Sequence, residues 1–101
     1  MTNEKANQEA WRRDIKGQLD GLRAALPSPL GAKSSSFFDE FIREHEFGLA
    51  LHVICDHLLE PATQPASAAI IQEIQSLHRL MNIEDDCVSD LHKNSRRAAE
   101  S

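Results

Sequence analysis

The sequence predicts an all-α fold, an antiparallel bundle of four to five helices. Three observations carry that prediction. Apolar residues recur at steps of three and four along most of the chain. No segment sustains a period-2 alternation, and there is no tyrosine. Clusters of Pro, Gly and Ser divide the chain into helix-sized segments joined by short links, which favour antiparallel neighbours. At 101 residues the chain suits one domain with one modest core. Hydrophobic residues at 41% and charged residues at 27% mark it as globular rather than disordered.

The first segment, about residues 3–26, carries Trp11, Ile15, Leu19, Leu22 and Leu26 on one narrow stripe. Gly17 and Gly21 lower its helix propensity without breaking the pattern. Glu4 and Glu9 suit the positive N-terminal end of a helix, and Arg23 suits its C-terminal end. "PSPLGAKSSS" then stops it. Ser36 is the expected N-cap of a second helix of eight to ten residues, with Asp39 as a capping-box acid. Phe37, Phe38, Phe41 and Ile42 form its apolar face, and it ends near His45.

The third segment, "EFGLALHVICDHLLEP", is apolar on nearly every side. Phe47, Leu51, Ile54 and Leu58 cluster on the helical wheel with Cys55 beside them, while Glu46, Asp56, His57 and Glu60 lie opposite. Leu49 and Val53 fall among those polar residues. Such a helix is expected at the centre of a bundle, packed from more than one direction. Pro61 and Pro65 end it. The fourth segment, about residues 65–81, places Ile70, Ile71, Ile74, Leu77, His78 and Met81 on one face, with Ser67 or Thr63 as its cap. Beyond Asn82 a short fifth helix is expected. Acids stand at its start, Lys93, Arg96 and Arg97 near its end, and Val88 and Leu91 dock it. Its last five or so residues are expected to fray. The domain, residues 1–101, thus divides into a first helix and loop (1–33), a central part (34–83) and a short helix with its tail (84–101).

Charge is unevenly distributed. Residues 1–33 hold six bases and four acids; residues 34–90 hold two bases and eleven acids; residues 91–101 hold three bases and one acid. The central part therefore repels phosphate backbones and attracts a basic partner; the plainer reading is that acidic surfaces favour solubility. No apolar run approaches the ~20 residues of a membrane span. The polar start "MTNEKANQEAWRRD" does not resemble a secretory signal. A cytoplasmic protein is expected, with Cys55 and Cys87 as thiols.

The residues that most suggest chemistry carry little of it. His52 with Asp56, and His45 with His52, share helix faces, but a zinc site needs three or four protein ligands and there is no HExxH. His78 reads as a core histidine. Cys55 sits mid-helix beside the core face, and Glu84, Asp85 and Asp86 around Cys87 disfavour a thiolate. There is no Gly-rich phosphate loop. No catalytic, cofactor or metal site is expected. Bases concentrate in "WRRDIK" and "KNSRR", while the third helix is acidic where a DNA-reading helix needs bases and amides. Protein binding is left. Leu49 and Val53, ringed by Glu46, Asp56, His57 and Glu60, form either the apolar centre of an interface or a contact with the first or fifth helix.

The run "FFDEFIREHEFGLALHVICDHLLEP" followed by "IIQEIQSLHRLMNI" resembles the small all-helical immunity proteins of bacterial polymorphic toxin systems, the MafI-like group, which includes immunity proteins of contact-dependent growth inhibition. Its elements are Phe41–Ile42, then Glu46 to Leu51, then Cys55, Asp56, Leu58, Glu60 and Pro61, and last a helix with Ile74 and Leu77 that ends at Met81. Where that group has Met-Gly-Leu, this chain has Met81, Asn82 and Ile83; asparagine is the next best residue for a helix C-terminus. The resemblance implies a non-enzymatic protein that binds and blocks a cognate toxin domain, a basic nuclease such as a tRNase or another RNase. Exposure and charge select Glu40, Glu44, Glu46, Leu49, Val53, Asp56, Glu60, Glu84, Asp85 and Asp86 as partner contacts. The alternative is a helical regulatory adaptor or a weak DNA-binding module using the basic first helix.

Overall fold

A computed structural model describes the backbone of residues 4–60 and 65–100, and the side chains of residues 8–60 and 65–96. The described residues form an all-α bundle of five helices: α1 (Glu4–Ala24), α2 (Ala32–Arg43), α3 (Phe47–Leu59), α4 (Ala68–Met81) and α5 (Cys87–Glu100). Pro61 and Thr63 lie outside the described residues, as do the side chains of Glu4 and Arg97. Helix α3 packs against α1, α2 and α5, and α4 against α1 and α5. The nearly all-round apolar third segment is thus the central helix.

The core draws on every helix. Ile15 and Leu19 of α1, Phe38 of α2, Leu51, Ile54 and Leu58 of α3, Ile74 and Leu77 of α4 and Leu91 of α5 are all fully buried. Burying each such side chain stabilises the fold by about 1.5–3 kcal/mol before the entropy of ordering it is set against that gain. Trp11, expected at the head of the α1 stripe, instead remains 42% exposed. Its ring meets Phe47 edge-on, with centroids 6.4 Å apart.

Helix α2 begins earlier than its serines predict. Its N-cap is Gly31 in an extended conformation, with no side-chain cap, and Ser36 lies inside the helix. A tertiary contact overrides the local preference of serine for caps. Arg23 of α1 donates to Ser35 Oγ and, at 2.7 Å, to Asp39 Oδ1. Its guanidinium carbon lies 5.0 Å from the centre of the Phe38 ring. Asp39 is therefore the partner of a neighbouring helix, not a capping acid.

Helices α2 and α4 end alike. His45 and Asn82 adopt the left-handed conformation, with φ of 59° and 54°. The Glu46 N–H donates to Phe41 O and the His45 N–H to Ile42 O; the Ile83 N–H donates to His78 O and the Asn82 N–H to Arg79 O. Both are Schellman closures, and Asn82 fills the role expected of it. At the other end of α4, Ser67 Oγ accepts from the Ile70 N–H at 3.2 Å, so Ser67 is the cap. Gly48 permits a close approach between α3 and the end of α4, since a Cβ there would sit 3.2 Å from Ile83 Cδ1. Helix α5 runs to Glu100, longer than the short helix expected, with Leu91 buried and Val88 packed against the core.

The cysteines overturn the expectation of free thiols. Cys55 of α3 and Cys87 at the start of α5 form a disulfide, with Cα atoms 6.3 Å apart across 32 positions of sequence. Among the described residues no helix is long and apolar enough to cross a membrane.

Candidate functional site

Helix α3 sorts its residues by face. Leu49, His52, Asp56 and Glu60 at its C-terminal end are exposed in a row, while Ala50, Leu51, Ile54, Cys55 and Leu58 are buried. Two residues expected on the outer face turn inward. Val53 is half-buried and packs against the core, which matches the alternative of a contact within the bundle. His57 is 8% exposed. Its Nε2–H donates to the Ser28 carbonyl at 3.0 Å, and Ser28 Oγ lies 3.3 Å from the same nitrogen. The α1–α2 loop thus supplies the acceptor that lets an imidazole be buried on α3.

Leu49 remains 48% exposed and belongs to a shallow apolar groove. Trp11 of α1, Phe47 and Leu49 of α3, Met81 at the end of α4 and Ile83 just beyond it line the groove together with His45, Glu46, His52 and Asp85. Of the ten predicted contacts, Glu46, Leu49 and Asp85 meet in this groove. Glu40, Glu44, Asp56, Glu60, Glu84 and Asp86 are exposed but do not line it. Trp11, Met81 and Ile83 escaped sequence reading because they converge from segments about 70 residues apart. The available signal was Trp11 at the outer end of its stripe, one turn before Ile15.

Two further clusters adjoin this groove in the fold. Arg12, Arg13 and Lys16 of α1 and Arg43 of α2 line a basic groove that also includes Asp39. His78 of α4, Asp85 of the α4–α5 link and Cys87 of α5 bring one ligand-type atom each within 4.8 Å of one another. His78 Nε2 and Asp85 Oδ1 are 3.7 Å apart, and Asp85 Oδ1 accepts from the Cys87 N–H at 3.0 Å.

No family model, curated protein or solved structure matches the chain. The site's chemistry is carried by its own residues. His52 Nε2 and Asp56 Oδ2 approach to 3.4 Å, but both side chains are more than half exposed, and so open an ion pair contributes little. The groove offers apolar contact area with two carboxylates, Glu46 and Asp85, among its lining residues. Where a surface of this kind meets another protein, an apolar centre excludes water and charged residues around it select the partner.

Proposed function

We propose that this is an immunity-type protein, a non-catalytic inhibitor that docks a cognate toxin domain over the α3 groove. The observation that carries this reading is the pairing of exposed Trp11 and Leu49 with Glu46 and Asp85 in one groove. Trp is among the residues that most often anchor an interface, and one left open at the mouth of a groove is available to a partner. The excess of acids over residues 34–90 adds long-range attraction for a basic partner. A nuclease domain fits best, because its active site is lined with bases that hold phosphates and an acidic protein can occupy them. Electrostatic steering also speeds association, which suits an antidote.

Co-expression with the toxin gene expected beside it tests this reading. Survival of the host and a copurifying complex are expected. Trp11→Ala and Leu49→Asp should each weaken the complex by at least about 30-fold, the effect of a hot-spot loss near 2 kcal/mol. Glu46→Lys should chiefly slow association at low salt. A toxin that kills regardless, or a complex indifferent to all three substitutions, refutes the proposal.

The basic groove favours a second reading, a weak DNA-binding module. Arg12, Arg13, Lys16 and Arg43 face one surface. A low-salt mobility shift abolished by joint replacement of Arg12 and Arg13 would support it over the first.

A further inference from the structure

We propose that the reduced chain binds one zinc ion through Cys55, His78, Asp85 and Cys87, and that the disulfide is the metal-free state of the same four-residue site. His78, Asp85 and Cys87 already hold their donor atoms within 4.8 Å of one another. Cys55 Sγ is bonded directly to one of those atoms, the sulfur of Cys87. In a tetrahedral site with bonds of about 2.0–2.3 Å, neighbouring donors stand roughly 3.3–3.8 Å apart. The His78–Asp85 separation of 3.7 Å is already of that size. Breaking the S–S bond frees both sulfurs to move apart to the same spacing by side-chain rotation.

The donor set is chemically complete. Two thiolates, an imidazole and a carboxylate fill the four positions that zinc takes in a closed site. Cys55, Cys87 and His78 are all buried, so the site would be structural and leave no position for substrate. The Cys87 N–H bonded to Asp85 Oδ1 orients the carboxylate, as outer contacts of metal ligands do. The link from Asn82 to Asp86 carries three acids and no base. Those acids disfavour a free thiolate at Cys87, but the same field favours a divalent cation, whose own charge deprotonates a bound thiol.

The redox step balances with a dithiol as reductant. The dithiol gives up two electrons and two protons and closes to its own disulfide. The Cys55–Cys87 bond breaks and both sulfurs become thiols. Zinc then displaces the two thiol protons to solvent and binds both thiolates. The ion would join α3, α4, the link and α5, where the disulfide joins α3 and α5 alone.

Cobalt(II) is the spectroscopic probe. The full chain is reduced with a dithiol, freed of it without air, and titrated with cobalt. One cobalt per chain is expected, with tetrahedral ligand-field bands and a thiolate-to-cobalt charge-transfer band that zinc bleaches. The oxidised chain should show neither. Loss of an outer contact to a metal ligand already costs about 10- to 100-fold in affinity, so His78→Gln and Asp85→Asn should each cost at least about tenfold. Helical circular dichroism identifies any variant that fails to fold, and Asp85→Asn, at an exposed position, provides the test if His78→Gln does not. Absence of the charge-transfer band in the reduced chain overturns the proposal. So does cobalt binding that Asp85→Asn and His78→Gln leave unchanged, since two thiolates alone would then account for it.

Discussion

Breaking the Cys55–Cys87 disulfide tests how much of the bundle's stability resides in the unfolded chain. The bridge spans 32 positions. Closing a loop of that length removes about 12 cal/mol/K of chain entropy from the unfolded state, or about 3.7 kcal/mol at 25 °C. Typical domains of this size are stable by only about 5–15 kcal/mol, so the bridge accounts for a large share. The experiment compares urea unfolding of the oxidised chain with the dithiol-reduced chain, both in a chelator so that no metal contributes. A loss of about 3–4 kcal/mol is expected, with a larger m value for the reduced chain because its unfolded state exposes more surface. A Cys55→Ala/Cys87→Ala double variant should lose somewhat more, since it also deletes two buried sulfur atoms. If reduction cost less than about 1 kcal/mol, the loop-closure reasoning would fail.

Three smaller perturbations probe single contacts by the same measurement. His45→Gly should stabilise the fold by about 1 kcal/mol, because glycine carries no Cβ penalty at φ 59°; a loss would mean that the His45 ring, 5.9 Å from Phe47, matters more than its backbone. Ser67→Ala should cost about 1 kcal/mol through the lost bond to the Ile70 N–H, with Ser67→Asp restoring most of it. His57→Ala should cost about 1–3 kcal/mol, because it leaves the Ser28 carbonyl without its donor and opens space against α3; unchanged stability would show that water replaces the imidazole.

What was legible in the sequence follows from how local each feature is. The stripes of α1, α3 and α4 are periodic within one segment, so their buried residues, from Ile15 to Leu77, could be read directly. The Ser67 cap and the Asn82 stop are decided within one turn. The start of α2 departs from what its serines predict because Arg23, on another helix, takes up Ser35 and Asp39. The inward turn of His57 is not legible in the periodicity of α3, since its partner, Ser28, lies 29 positions away in a loop. The disulfide and the His78–Asp85–Cys87 cluster carry no spacing signature, since α3, α4 and α5 bring them together only after folding. Of the candidate groove, Glu46, Leu49 and Asp85 were readable as exposed or charged positions; the inward packing of Val53 was not, because Ala50, Val53 and Leu59 join the core beyond the five residues that a wheel of α3 assigns to it.

The sorting of α3 also bears on how such a surface diversifies. Leu49, His52 and Asp56 recur at steps of three and four along one strip of α3, with Glu60 just beyond its end, and each is exposed among residues fixed by the core. Evolution can rewrite those four letters with little penalty to the fold, since surface substitutions usually change stability by less than about 0.5 kcal/mol. The buried positions between them do not share that freedom. One helix therefore alternates positions that the core constrains with positions that it leaves free, and new recognition can be drafted on the second without erasing the first.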